Sequence, residues 1–161
     1  MRRLTSATAI VAAALVAVPA AAQQTFDAAG IGRGENASTV RPITDDRTVV
    51  IALTEYEPIE GLAAENPLAG LTGPCFGMFE IAGGAVEGGG YCTFDDPEGS
   101  RAIIRWTAEE AASPAEMGGS WTLLGGSGKW AGASGGGSFA LTTDTDTGRF
   151  TNEVSGEVTM P

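Results

Sequence analysis

Residues 75–92 read CFGMFEIAGGAVEGGGYC, and the only two cysteines of the chain stand at the ends of this stretch, equidistant from Gly83-Gly84. A type I′ turn needs positive φ at both central positions, which glycine adopts without steric cost, so the diglycine predicts a two-residue hairpin turn. Counting outward from that turn makes Cys75 and Cys92 a non-hydrogen-bonded pair. The Cα atoms of such a pair lie about 4.5 Å apart, a separation that a disulfide accepts. The sequence therefore predicts an antiparallel hairpin crosslinked by these cysteines.

The two faces of this hairpin differ in polarity. The face that carries the cysteines is uniformly apolar or small, whereas the other places Glu80 opposite Glu87 and includes Tyr91. Arg105, on the next alternating segment, could face these groups. If this polar face lines a cavity, the four residues are candidates for orienting a ligand or for acid–base work. If it faces solvent, they are ordinary surface residues, and the sequence favours this second interpretation.

Short β-type segments recur along the rest of the chain. Residues 47–56 are rich in β-branched types, and alternating or β-rich patterns follow at 101–108, 119–124, 136–143 and 149–160. Turn residues mark the connection 57–74, and residues 109–117 contain helix formers interrupted by Ser113-Pro114, which predicts a short helical turn or loop. Strands with Gly- and Asp-rich connections and little helical periodicity predict an all-β fold, either an antiparallel barrel or a sandwich.

The N-terminus has the pattern of a cleavable export signal. Arg2 and Arg3 precede an apolar run, residues 7–18, that is too short to span a bilayer, and a small-residue cleavage site precedes Gln23. The predicted organisation is a signal peptide over residues 1–22, a loose N-terminal arm over 23–45 and a single β-domain over 46–161. No membrane anchor is expected in the mature chain. A periplasmic or secreted location agrees with the predicted disulfide, because such bonds persist in oxidising compartments.

Composition excludes several function classes. The chain has a formal net charge of −11 and no histidine. Nucleic acid and anionic membranes would repel it, and catalytic triads and imidazole zinc sites are unavailable to it. The carboxylates of residues 95–98 and 144–146 do not complete a calcium-binding loop, so we interpret both segments as solvated turns, with no metal and no cofactor expected.

The tract GSGKWAGASG, residues 126–135, invites a nucleotide-binding interpretation but does not fit one. Trp130 stands where a P-loop needs a serine or threonine, and the following glycines cannot open a phosphate-binding helix. The tract, with Trp121-Thr-Leu-Leu-Gly before it and Gly137-Ser-Phe after it, resembles the GTGKF/YAG…GSG segment of the allene oxide cyclase and dirigent-like β-barrel group. The similarity covers the C-terminal part of the chain, about two-thirds of it, and is greatest with small secreted bacterial members of unassigned activity.

This resemblance implies an antiparallel barrel of about eight strands with an apolar lumen, used in relatives to guide cyclisation or coupling of small organic molecules. None of the catalytic positions of those enzymes can be matched to a residue of this sequence. Two functions remain open. The first is binding of a small, largely apolar molecule, with or without cyclase or isomerase activity, for which Trp121 is a further candidate contact although tryptophans mostly fill cores. The second is a non-catalytic structural or protein-interaction module with a filled interior. The sequence leaves the ligand and the oligomeric state undetermined.

Overall fold

The computed structural model describes residues 22–161, which form ten antiparallel strands and one 3₁₀ turn. The predicted signal peptide lies outside these residues except for Ala22. The elements are β1 (Gln24–Asp27), β2 (Gly30–Asn36), β3 (Thr39–Thr44), β4 (Arg47–Tyr56), β5 (Gly73–Ala82), β6 (Ala85–Asp95), β7 (Arg101–Ser113), β8 (Glu116–Gly126), the 3₁₀ turn (Gly128–Trp130), β9 (Ser134–Thr143) and β10 (Arg149–Met160).

Eight of these strands close into a ring, which confirms the all-β antiparallel barrel. Strands β4 to β9 pair in chain order, β9 pairs with β10, and β2 bridges β10 to β4. The two remaining strands are not needed to close the ring. Strand β1 pairs with the C-terminal end of β10, on the same edge as β2, and β3 pairs with the N-terminal half of β4, also on the same edge as β2. Closure leaves few unpaired strand edges, which is how antiparallel barrels avoid edge-to-edge association.

The crosslinked hairpin is β5–β6, and it has the predicted register. Cys75 pairs with Cys92 and forms the disulfide, with Cα atoms 3.9 Å apart. Gly83 and Gly84 have φ values of 56° and 86°, as a type I′ turn requires. The cysteine-bearing face points into the barrel, since both cysteines and Phe79 are buried.

The structure corrects two expectations about local structure. Residues 23–45 are not a loose arm, because they contain β1, β2 and β3, and the barrel therefore begins before residue 46. Residues 109–117 are not a helical turn, because β7 and β8 extend through them to a tight connection at Pro114-Ala115. In both places cross-strand pairing to neighbours outweighs weak local propensity.

One end of the barrel is closed by buried side chains from its connections. Leu68 and Leu71 from the β4–β5 loop and Trp130 from the 3₁₀ turn are almost fully buried there. Within residues 22–161, no helix has the length and apolar character needed to cross a membrane.

Candidate functional site in the barrel lumen

A cavity of about 100 Å³ lies in the barrel interior, above the closed end. Leu68 contributes to its floor, and the exposed Pro114 contributes to its rim, so it extends toward the end that carries the β7–β8 turn. Among residues 22–161, no charged side chain lines it. Most of the lining is apolar, and the polar lining side chains are Asn36, Ser38, Thr54, Tyr56 and Asn152.

Tyr56 and Asn152 form the buried polar centre of this cavity. Asn152 Nδ2 donates a hydrogen bond to Tyr56 Oη at 2.8 Å. The tyrosine ring fits against bare backbone, because a Cβ at Gly32 would stand 2.8 Å from Tyr56 Cε1. Burial raises the pKa of Tyr56, and the bond from Asn152 opposes this rise only in part. The phenol therefore stays neutral over the whole range in which proteins are usually folded.

Two tryptophans on neighbouring strands also line the cavity, and their indole N–H groups differ. Trp106 on β7 pairs with Trp121 on β8, and each is 7% exposed. Trp121 Nε1 donates to the carbonyl oxygen of Ser155 at 3.0 Å, whereas Trp106 Nε1 has no partner among the described residues. A Cβ at Gly77 would stand 2.6 Å from Trp106 Cζ2, so this glycine makes room for the indole.

A second buried atom of the cavity wall is also unpartnered. Asn152 Oδ1 accepts no hydrogen bond from the described residues, although the side chain's amide nitrogen is bonded to Tyr56. Asn152 is 6% exposed. The wall of this apolar chamber thus has one donor, Trp106 Nε1, and one acceptor, Asn152 Oδ1, without partners, a combination that suits a ligand with complementary groups.

The polar residues proposed from the hairpin lie on the outside of the barrel. Glu80 and Glu87 form a cross-strand pair, as do Tyr91 and Arg105. Glu80 makes an ion pair with Arg47, with Nε and Oε1 2.9 Å apart, while Tyr91 is 45% exposed. The structure brings these residues together in pairs but not into the lumen. Of the five candidate ligand contacts, Trp121 alone lines the cavity, and the two cysteines predicted to form the disulfide line it as well.

The acidic turn 95–98 is not wholly solvated, because Asp96 is buried under the closed end. Trp130 Nε1 donates to Asp96 Oδ2 at 3.2 Å, and Lys129 Nζ lies 3.1 Å from the same oxygen. The 3₁₀ turn is therefore fastened to the β6–β7 connection. Within residues 22–161, no cluster of acidic or cysteine side chains is placed to hold a metal ion.

Sequence reasoning missed Tyr56, Trp106 and Asn152 as site residues. Tyr56 shares a face with the buried Val50 by strand alternation, so its inward direction could have been inferred. Its contact with Asn152 could not, because the two residues are 96 positions apart and meet only through barrel closure. No sequence pattern indicates that Trp106 Nε1 and Asn152 Oδ1 lack hydrogen-bond partners.

Comparison with known proteins gives a match of fold. No family model matches the chain, and no curated protein matches it. Among solved structures, the chain is similar to the pterocarpan synthase dirigent protein GePTS1, with 16% identity, a TM-score of 0.50, and coverage of 86% of this chain and 91% of that one. The fold is dirigent-like.

A second solved structure also aligns with this dirigent-like barrel. It is a conserved protein of unknown function, RPA1785 from Rhodopseudomonas palustris, with 11% identity, a TM-score of 0.45, and coverage of 87% of this chain and 99% of that one. The similarity to GePTS1, at 16% identity, shows the fold and not the reaction.

Proposed function

We propose that this protein binds a small, uncharged, largely apolar molecule in the lumen of its barrel. The observation that carries the proposal is the cavity of about 100 Å³, lined by apolar side chains and by no charged ones among the described residues. An apolar engineered cavity of about 150 Å³ holds benzene, and the lumen is somewhat smaller, so a ligand no larger than a single-ring molecule is the right scale. A filled interior, which a purely structural module requires, agrees less well with this space.

The lining also limits the chemistry that the lumen can support. Among the described residues, no carboxylate, lysine or arginine lines the lumen, and the phenol of Tyr56, whose pKa is raised by burial, is only a weak acid. Shape and hydrogen bonds from neutral groups remain, and these can favour one conformer of a bound molecule. The class of reaction they suit is a cyclisation or isomerisation in which no atom is gained or lost. The structural neighbour GePTS1 is a pterocarpan synthase dirigent protein, and this likeness supports a role in guiding bound molecules.

The proposal includes export to an oxidising compartment, periplasmic or extracellular. The pattern of residues 1–22 supports it, as does the disulfide between Cys75 and Cys92. Membership of the small secreted bacterial branch of the allene oxide cyclase and dirigent-like group is proposed on the same grounds.

Native mass spectrometry of protein purified from the periplasm or medium of its own host tests these statements together. We expect a chain that begins at Gln23, lacks two hydrogens because of the disulfide, and carries a copurifying small molecule. A chain retaining residues 1–22 would overturn export.

Ligand-detected NMR with toluene tests the lumen directly. We expect toluene to bind the wild type and to be excluded by Ala52→Phe, which fills the cavity from β4. Leu53→Phe is the matched control, because Leu53 is the next residue on β4 and is 45% exposed on the outer wall. Circular dichroism verifies that both variants fold. Toluene that fails to bind the wild type, or that binds the folded Ala52→Phe variant equally well, would overturn lumen binding.

A further inference from the structure

The described residues contain two buried side-chain nitrogen or oxygen atoms without a hydrogen-bond partner, and both belong to side chains that line the lumen. They are Trp106 Nε1 and Asn152 Oδ1, on side chains that are more than nine-tenths buried. Leaving a buried donor or acceptor unpaired is costly, and native proteins do so rarely. Their occurrence in one cavity indicates that both atoms serve whatever the cavity holds.

Each of the two atoms can form a hydrogen bond with only one kind of partner. An indole N–H can donate but not accept, so Trp106 requires an acceptor on the ligand. An amide oxygen can accept but not donate, so Asn152 Oδ1 requires a donor. Tyr56 holds the side chain of Asn152 in place, because its hydroxyl oxygen accepts from the amide nitrogen at 2.8 Å, and the amide oxygen has no partner among the described residues. Tyr56 is therefore a positioning residue.

The surroundings determine the charge of the partner. A carboxylate or ammonium ion in the lumen would lose its hydration without a counter-ion, because no charged side chain lines the cavity among residues 22–161. A neutral molecule with a carbonyl or ether oxygen and a hydroxyl or N–H group has no such penalty. Such a molecule carries one suitable partner for each of the two atoms.

We propose that the lumen selects uncharged ligands that carry both a hydrogen-bond acceptor and a hydrogen-bond donor, and that Trp106 and Asn152 determine this specificity. The inference rests on the proposed lumen binding and adds the polar pattern of the ligand. Trp121 provides an internal contrast, since it lines the same cavity with an N–H group already bonded to Ser155.

A series of single-ring probes tests the proposal by calorimetry or NMR titration. Toluene has neither polar group, acetophenone has the acceptor, 4-hydroxyacetophenone has acceptor and donor, and benzoate is the charged analogue. The measured quantity is the ratio of the dissociation constants of two probes. The probes differ in their hydration in water, but this difference is the same for every variant and cancels when the ratios of two variants are compared.

For Trp106, the ratio is that of toluene to acetophenone. We expect Trp106→Phe to reduce the preference for acetophenone about fivefold, the effect of one hydrogen bond of ordinary strength. Trp121→Phe is the matched control, and its preference should stay unchanged whatever happens to overall affinity. An equal loss in both variants would mean that indole size, not the free N–H, produces the preference, and would overturn the assignment.

For Asn152, the ratio is that of acetophenone to 4-hydroxyacetophenone. We expect Asn152→Leu to reduce the preference for the hydroxylated probe by a similar factor. Asn36→Leu is the control, because Asn36 lines the same cavity while its amide nitrogen bonds to Thr143 Oγ1 and its oxygen accepts from the backbone of Ser38. Its preference should not change.

The outcomes separate this inference from the proposed function. If no probe binds the wild type, lumen binding itself fails. If toluene binds and the preferences are the same in the wild type, Trp106→Phe and Asn152→Leu, binding stands and the selection rule is wrong, as when water rather than ligand bridges the two atoms. Benzoate binding as tightly as acetophenone would also overturn the rule.

A measurement on the wild type avoids dependence on variants that fold poorly. In protein labelled with ¹⁵N at the tryptophan indoles, acetophenone should shift the Trp106 Nε1–H resonance downfield, because a new hydrogen bond forms there. Toluene should not produce that shift. An unshifted resonance at saturating acetophenone would overturn the role of Trp106.

Discussion

Asp96 shows how one residue secures the closed end of the barrel. Only 1% of its side chain is exposed, and Oδ2 faces Lys129 Nζ and Trp130 Nε1. Its other oxygen, Oδ1, accepts from the backbone N–H groups of Glu98 and Ser100. Burial alone would raise the pKa of Asp96, but these four donors favour the charged form and hold the pKa below its ordinary value.

We therefore expect Asp96→Asn to lower the free energy of unfolding at pH 7 by about 2–4 kcal/mol, because an amide nitrogen would face the Lys129 or Trp130 donors. Urea denaturation measures the loss. Glu98→Gln is the control in the same turn, since that side chain is 76% exposed and lies 3.8 Å from Lys129 Nζ. It should change stability by less than about 0.5 kcal/mol.

The pH dependence of this difference has a definite sign. A carboxyl whose pKa is depressed in the folded state stabilises the protein above its unfolded pKa, and this contribution is lost as pH falls through the folded pKa. The gap between the wild type and Asp96→Asn should therefore be greatest near neutrality and shrink below about pH 4. A gap that stays constant down to pH 2 would show that the charge of Asp96 is not the stabilising feature.

At the scale of elements, the β5–β6 hairpin is the best-specified part of the chain. Its turn and register follow from contacts between sequence neighbours, which is why the sequence predicts them correctly. At Gly83 and Gly84, no other atom lies within 4 Å of where a Cβ would be, so steric crowding does not explain the glycines. Their positive φ values, 56° and 86°, do.

Because positive φ, and not steric crowding, requires the two glycines, substitutions at these positions can test the turn type. We expect Gly83→Ala and Gly84→Ala each to lower the free energy of unfolding by about 1–2 kcal/mol, the conformational penalty for a residue with a Cβ in the left-handed region. Gly83→Asn should be nearly neutral, because asparagine tolerates that region and Asn-Gly is favoured in type I′ turns. Urea denaturation compares the three variants, and an alanine variant as stable as the wild type would contradict the turn type.

At the scale of the whole molecule, the sequence predicts the parts that local patterns determine. It identifies the barrel-forming strands from β4 onward and the buried face of the hairpin. It does not identify β2, whose sequence GIGRGEN has the glycines that strands usually lack. Gly32 and Gly34 are there because Tyr56 and the carbonyl oxygen of Glu55 occupy the places of their side chains.

The same limit explains why the lumen site is missed. Tyr56 and Asn152 meet only because β2 closes the ring between β4 and β10. The outward placement of Glu80 and Arg105, which the sequence favours, follows from alternation along single strands. Contacts that depend on barrel closure cannot be predicted from the sequence, whereas the direction of a side chain along a single strand can.

Closure itself can be tested by shortening the N-terminus. A chain that begins at Ala28 loses β1, which pairs with only four residues of β10 outside the ring, whereas one that begins at Ser38 loses β2 as well. We expect the first to stay monomeric and to lose no more than about 2 kcal/mol of unfolding free energy. The second should associate in size-exclusion chromatography, because β4 and β10 would expose unpaired edges. If the chain from Ser38 behaved like the chain from Ala28, residues 28–37 would be a loose arm and the lumen would not depend on them. Loss of toluene binding in the chain from Ser38, with binding retained in the chain from Ala28, would place closure and ligand binding in one structural unit.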